Sequence, residues 1–299
     1  MTTLNFAFSA IIFFSVSVFS VPPVSAMTLS KPEQMHHVCG KEWVELLSYE
    51  WCVDYPENRT NPDVLYYFHG IGRSAHDWRD SGDNKAIQAE WQKMKVAAPT
   101  VITISFGNAW LLSDLGSFLR PALYPTIINE IMPKLEQMIG GVRGRRMIKG
   151  ESMGGFNASQ LYLKSGQGFD RVAILCPAIT TLSPFIPRAQ VERQLARSQG
   201  VINKNLVFAF QFWAFQTFPS QAIWNAHDPL LMVRQLISSA PALYISAGKR
   251  DEFGFYEGTA KFAARARARG AKVTWHSYPG GHCSATDSAA VARFLAPVN

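Results

Sequence analysis

The segment Met1 to Ala26 contains no charged side chain, and the whole chain contains only four cysteines, none in a Cys-x-x-Cys pair. No histidine and cysteine set has the sequence spacing of a structural zinc site, so a structural metal is not expected. Arginines are not interleaved with aromatics, which argues against a nucleic-acid partner. No internal repeat and no low-complexity linker occurs, which excludes solenoids and arrays. Charged residues are sparse at 17%, yet 47% of the chain is hydrophobic. That balance excludes disorder over most of its length.

The uncharged N-terminus reads as a secretory signal peptide. Its apolar run, Phe6 to Phe19, is shorter than the about 20 residues a spanning helix needs. Val24 and Ala26 fit a cleavage site before Met27. The usual basic residue near the start is missing, and a membrane anchor or a buried first helix are the competing readings. Export predicts a mature chain 27–299 forming a single domain, secreted or periplasmic, without stable membrane insertion after cleavage. The net charge of +7 then lies wholly in the mature part. The basic clusters Arg143, Arg145, Arg146, Lys149 and Arg265, Arg267, Arg269 read as solvated faces. Export permits disulfides. Cys39 with Cys52 is the preferred pair because that loop closes locally, and Cys176 with Cys283 is a weaker second pair.

Along the chain, short apolar runs alternate with helix-competent stretches. Trp43 to Tyr55 reads as one or two edge strands. Val64 to Phe68, Val101 to Ser105, the segment through Met147 and Ile148, Val172 to Cys176, Ala242 to Ala247 and Lys272 to Tyr278 read as strands, most of them buried on both faces. Helices are expected within Asp83 to Met94, Leu119 to Ile139 with Pro133 as a kink or break, Phe156 to Lys164, Glu257 to Arg269 and Ala285 to Leu295. This alternation predicts a mostly parallel, twisted sheet with helices on both faces. The aromatic-rich segment 180–226 interrupts it and reads as a small helical cap insertion.

In such a sheet, ligands bind beyond the carboxyl ends of the strands. Lys149-Gly150-Glu151-Ser152-Met153-Gly154-Gly155 sits at one such end and matches Gly-x-Ser-x-Gly, the sharp strand-to-helix turn that presents a nucleophilic serine. A serine hydroxyl needs a base, and the base an orienting acid, in the chain order Ser, acid, His. His282, in a glycine-rich loop directly after a strand, is the preferred base over His227 and His276. Asp251 is the preferred acid, Glu252 the close alternative and Asp228 a distant one. Acyl transfer also needs fixed N–H donors for the oxyanion. Met153, after the serine, and Ile71, in the loop His69-Gly70-Ile71-Gly72, are the candidates, with His69 shaping that loop. Trp78, Trp110, Phe212 and Trp213 are expected at the substrate, and Phe208, Phe210 and Phe215 are further aromatics of the cap that line either a pocket or its own core.

These segments, with Asn225-Ala226-His227-Asp228-Pro229 and Gly248-Lys249-Arg250-Asp251, occur in an order that resembles the α/β-hydrolases. More narrowly, the chain from Trp43 onward resembles the esterase D-like group, which includes feruloyl and acetyl esterases, S-formylglutathione hydrolase and mycobacterial mycolyltransferases. The resemblance implies an α/β-hydrolase fold and a cofactor-free serine esterase, with Ser152 as nucleophile, Asp251 as acid, His282 as base, and Ile71 and Met153 as oxyanion donors. The expected partner is a small-molecule or polymer-linked ester. Transfer to a cell-wall sugar, a lipase or peptidase activity and a non-catalytic binding role remain alternatives. The family's substrate loops are not matched residue by residue, so its substrates do not carry over.

Overall fold

The computed structural model describes residues 35–108, 122–165, 168–198, 200–236 and 241–296. The expected signal peptide and Trp110 lie outside them. Strands β1 (Met35–Val44) and β2 (Leu47–Pro56) form an antiparallel pair at one edge. There follow β3 (Val64–Phe68), α1 (Asp77–Asp80), α2 (Gly82–Lys93) and β4 (Thr100–Ser105). Next come α3 (Leu123–Thr126), a π turn (Ile127–Ile131), α4 (Met132–Met138), β5 (Arg146–Glu151), α5 (Met153–Ser165) and β6 (Arg171–Leu175). The segment after β6 supplies α6 (Arg188–Arg197), α7 (Lys204–Thr217) and α8 (Gln221–His227), followed by α9 (Pro229–Met232). The chain closes with β7 (Ala242–Gly248), α10 (Phe255–Ala268), β8 (Val273–Tyr278) and α11 (Ser288–Leu295).

The eight strands run in the order β1-β2-β4-β3-β5-β6-β7-β8, parallel from β4 to β8. The alternation of side chains along a strand sorts them to the two faces. Tyr66, Phe68, Ile148 and Ile245 enter the core shared with α5 and α10, while Leu65, Tyr67 and Met147 enter the core shared with α2 and α11. The Trp91 indole N–H of α2 donates to the Ala292 carbonyl of α11 at 3.0 Å and locks that second layer.

The irregularity expected at Pro133 falls where the helical segment changes character: Pro133 lies in the first turn of α4, directly after the π turn, and its missing N–H leaves the Asn129 carbonyl without an α-helical donor. One expectation needs correction: of the basic run before the elbow, Arg143 is exposed and Arg146 partly so, but Lys149 does not lie on a solvated face. Lys149 is completely buried, Arg145 binds Asp63 at 2.6 Å and Arg146 binds Glu136 at 2.7 Å. The sheet position of Lys149 decides this: β5 is central, so residues in its middle point into one core or the other.

Candidate active site

Ser152 sits between β5 and α5 with φ +55°, a left-handed conformation that costs a non-glycine residue energy. Close packing enforces it. A Cβ on Gly150 would lie 2.2 Å from the Gly154 carbonyl oxygen, and one on Gly154 would lie 2.0 Å from the Phe68 carbonyl oxygen. Only glycine fits at either position, which is why the motif has the form it does. The Ser152 N–H donates to the Leu175 carbonyl at 3.0 Å, so the neighbouring strand end holds the turn.

The structure brings Ser152, His282 and Asp251 together across the carboxyl ends of β5, β8 and β7. Ser152 Oγ lies 2.8 Å from His282 Nε2. His282 Nδ1 lies 2.7 Å from Asp251 Oδ2, and since the carboxylate can only accept, Nδ1 carries the proton and Nε2 offers its lone pair to the serine. Asp251 is buried, and its other oxygen accepts the Phe253 N–H at 2.9 Å. Glu252 does something different: its Oε2 accepts the backbone N–H of His282 at 2.8 Å. It fixes the loop, and Asp251 fixes the ring. Phe253 and Phe255 pack on the imidazole at centroid distances of 4.8 and 5.5 Å.

A second link pins the histidine loop. Cys176, just after β6, is bonded to Cys283, the neighbour of His282. Cys39 is bonded to Cys52 across β1 and β2. Asp228 and His227 line no part of the cavity at Ser152. Asp228 caps α9 by accepting the Leu230 N–H at 2.9 Å, and burial pushes its carboxyl up to about 6. His227 ends α8 with Nδ1 donating to the Ile223 carbonyl at 2.8 Å. His276 stays within β8.

Ile71 and Met153 both border the cavity that holds Ser152 and His282. Met153 opens α5, so its N–H is among those without an intrahelical acceptor. The Ile71 loop is tied down on both sides. His69 Nδ1–H donates to the Gly70 carbonyl at 2.7 Å, and its Nε2 accepts the Ser105 hydroxyl at 2.7 Å. Burial pushes the His69 imidazole pKa down, which favours the neutral ring this pairing requires. The Gly72 N–H donates to Asn108 at 2.8 Å.

The cavity measures about 210 Å³. Its apolar wall includes Ala178, Phe210, Trp213, Phe253 and Phe255. A larger cavity of about 540 Å³ lies behind Asp251, but it contains neither Ser152 nor His282. Of the aromatics expected at the substrate, Trp213 lines the smaller cavity. Phe212 is 61% exposed on the outer side of α7 and does not line it. Trp78 is a correction: it is 1% exposed and packs against Tyr67 and Trp91 in the core beneath the sheet. The π-face of Trp78 serves the buried Lys149 instead.

Sequence reasoning missed what lies under the elbow. Lys149 Nζ binds Glu151 and, at 2.7 Å, Asn84 Oδ1, and it stands 4.6 Å from the Tyr67 ring centroid. Glu151 in turn faces the cavity. The available signal was the placement of a lysine in the middle of a central strand, where no unpaired charge is tolerated.

The layout of sheet, crossing helices and strand-end residues is that of an α/β-hydrolase. Solved structures agree on the fold: a ferulic acid esterase has 18% identity and TM-score 0.57, covering 88% of this chain and 96% of its own. S-formylglutathione hydrolase from Agrobacterium tumefaciens has 14% identity and TM-score 0.60, covering 88% and 92%. The fluorophosphonate-binding serine hydrolase FphF of Staphylococcus aureus has 17% identity and TM-score 0.58, covering 87% and 96%. No curated protein sequence matches the chain. Residues 50–288 match the model of the family described as "Putative esterase", and the chain belongs to that family. By that family it is a carboxylic ester hydrolase.

Proposed function

We propose that the protein hydrolyses carboxylic esters through an acyl-enzyme on Ser152. The observation that carries this reading is the continuous relay from Ser152 Oγ through His282 to Asp251, with steps of 2.8 and 2.7 Å. His282 Nε2 takes the hydroxyl proton as Oγ attacks the ester carbonyl. The carbonyl oxygen becomes an anion held by the N–H groups of Met153 and Ile71. The imidazolium, steadied by Asp251, returns the proton to the departing alkoxide. Water then repeats the sequence on the acyl-enzyme. Removing one oxyanion donor in comparable enzymes costs roughly 10²–10³-fold in kcat.

The acyl group we assign is compact and apolar or aromatic. Phe210, Trp213, Phe253 and Phe255 support this, as does a cavity of about 210 Å³. We also propose that the mature chain 27–299 is one domain with 180–226 as its cap, and that it is secreted or periplasmic. The uncharged apolar start and two disulfides support export. Among the described residues no helix is long and apolar enough to cross a membrane.

A panel of p-nitrophenyl esters of increasing acyl length, offered to wild type and Ser152→Ala, tests the proposal. Turnover of short and aromatic esters is expected from wild type alone. Unchanged turnover by Ser152→Ala would overturn it. Adding acceptor alcohols and analysing products separates hydrolysis from acyl transfer.

A further inference from the structure

We propose that the Cys39–Cys52 pair, when reduced, forms a Cys2His2 binding site for a tetrahedral divalent ion, zinc by its chemistry, together with His37 and His76. The site lies at the sheet edge, on residues that the hydrolytic relay does not use.

The strand register builds it. On β1 and β2, Cys39 stands opposite Cys52 and His37 opposite Asp54. Residues two apart on a strand share a face, so these four side chains project together. His76, at the start of α1, closes over them. His37 Nε2 lies 3.2 Å from His76 Nδ1, and Cys39 Sγ lies 3.0 Å from His37 Nε2. Both sulfurs lie 3.7 Å from His76 Nδ1. All four donor atoms fall within 4.8 Å of one another. Zinc bonds of about 2.0–2.1 Å to nitrogen and 2.3 Å to sulfur, at tetrahedral angles, set N···N near roughly 3.3 Å and N···S near roughly 3.6 Å. The histidine pair and the separations of both sulfurs from His76 already approach those values. The two sulfurs must part, and Cys39 must draw back from His37 by roughly 0.6 Å.

An outer carboxylate is also in position. The His37 Nδ1–H donates to Asp54 Oδ1 at 2.7 Å, which turns the Nε2 lone pair towards the cluster. Asp54 is buried, and its second oxygen has no hydrogen-bond partner. Such a carboxylate behind a ligating histidine is the arrangement that orients ligands at zinc. A shallow cleft bordered by Cys39, Cys52 and His76 opens the cluster to solvent.

Metal and disulfide therefore compete for the same sulfurs. A dithiol reductant gives two electrons to the S–S bond and becomes a disulfide. The two protein thiolates bind the divalent ion, and the reductant's two protons pass to water. Oxidation by a disulfide-class oxidant reverses this and expels the ion. Thiolates are ligands for zinc, whereas the bonded sulfurs of a disulfide lack that charge.

The test uses the full chain, oxidised or reduced with a dithiol and desalted anaerobically, titrated with Co²⁺ and then Zn²⁺. Reduced wild type is expected to take up one Co²⁺ with thiolate charge-transfer and tetrahedral d–d absorption, displaced by one Zn²⁺. Oxidised wild type gives no such bands. Cys39→Ser/Cys52→Ser abolishes them, Cys176→Ser/Cys283→Ser keeps them, and Asp54→Asn weakens affinity about 10–100-fold. Absence of the bands in reduced wild type, or their survival in Cys39→Ser/Cys52→Ser, overturns the proposal.

Discussion

Replacing Lys149 with methionine isolates the charge pair beneath the nucleophile. Its ammonium is wholly buried and the Glu151 side chain is 16% exposed. Methionine is close in length and apolar, so it fills the space between Asn84, Tyr67 and Trp78 without a large cavity. What remains is a carboxylate in the wall of the cavity without its counter-ion. Removing one partner of a buried pair costs about 3–5 kcal/mol. At roughly 2–4 °C per kcal/mol for chains of about 150–250 residues, the melting temperature should fall by on the order of 10 °C. Replacing both groups, as Lys149→Met/Glu151→Leu, removes the orphan charge and should recover most of that loss. Urea unfolding of wild type, both singles and the double closes the cycle, and the singles should lose more in sum than the double does. A Lys149→Met chain within about 0.5 kcal/mol of wild type, or a double variant losing as much as the singles together, would refute the reasoning; the 0.5 kcal/mol threshold is the usual scatter of surface substitutions.

Three further outcomes follow from the geometry. Asp251→Asn is expected to cut kcat by up to about 10⁴-fold, as loss of the orienting acid does elsewhere, while Glu252→Gln, which keeps an acceptor for the His282 N–H, should lose far less; equal losses in ester turnover would contradict the division of labour. Removing the second disulfide with Cys176→Ala/Cys283→Ala frees a loop whose ends are 107 residues apart, and denaturant unfolding should show a loss approaching about 4.7 kcal/mol, with activity more sensitive to temperature. Asp228 has a carboxyl raised to about 6 by burial, against about 3.9 unfolded. Its contribution is therefore full below the unfolded value and lost as pH climbs through about 6, so Asp228→Asn, still a good helix cap, should be the more stable chain at pH 8, by up to about 3 kcal/mol, and show little difference at pH 4.

The candidate site was largely legible from local pattern. Gly150 and Gly154 are required by sterics that act within a few residues, so the elbow announces itself in sequence. Chain order then pointed to Asp251 and His282. Their meeting depends on β5, β7 and β8 ending at the same edge, which a parallel sheet guarantees once strands and helices alternate. The choice between Asp251 and Glu252 was not legible. Adjacent residues in a turn differ only in direction, and the hydrogen bonds of each to His282 had to be seen.

The linear sequence marked the strands, the elbow, the chain order of Ser152, Asp251 and His282, and the local Cys39–Cys52 pairing. Periodicity, short-range sterics and loop closure act over short stretches of chain and leave their mark there. Tertiary structure alone decided what long-range contacts decide. It buried Lys149 rather than leaving it in a solvated run, since a central strand has no wet face. It sent Trp78 into the core and left Phe212 outside, because helix orientation selects the face. It also brought His37, Cys39, Cys52 and His76 to one point, since cross-strand register and one loop, rather than sequence spacing, set those distances.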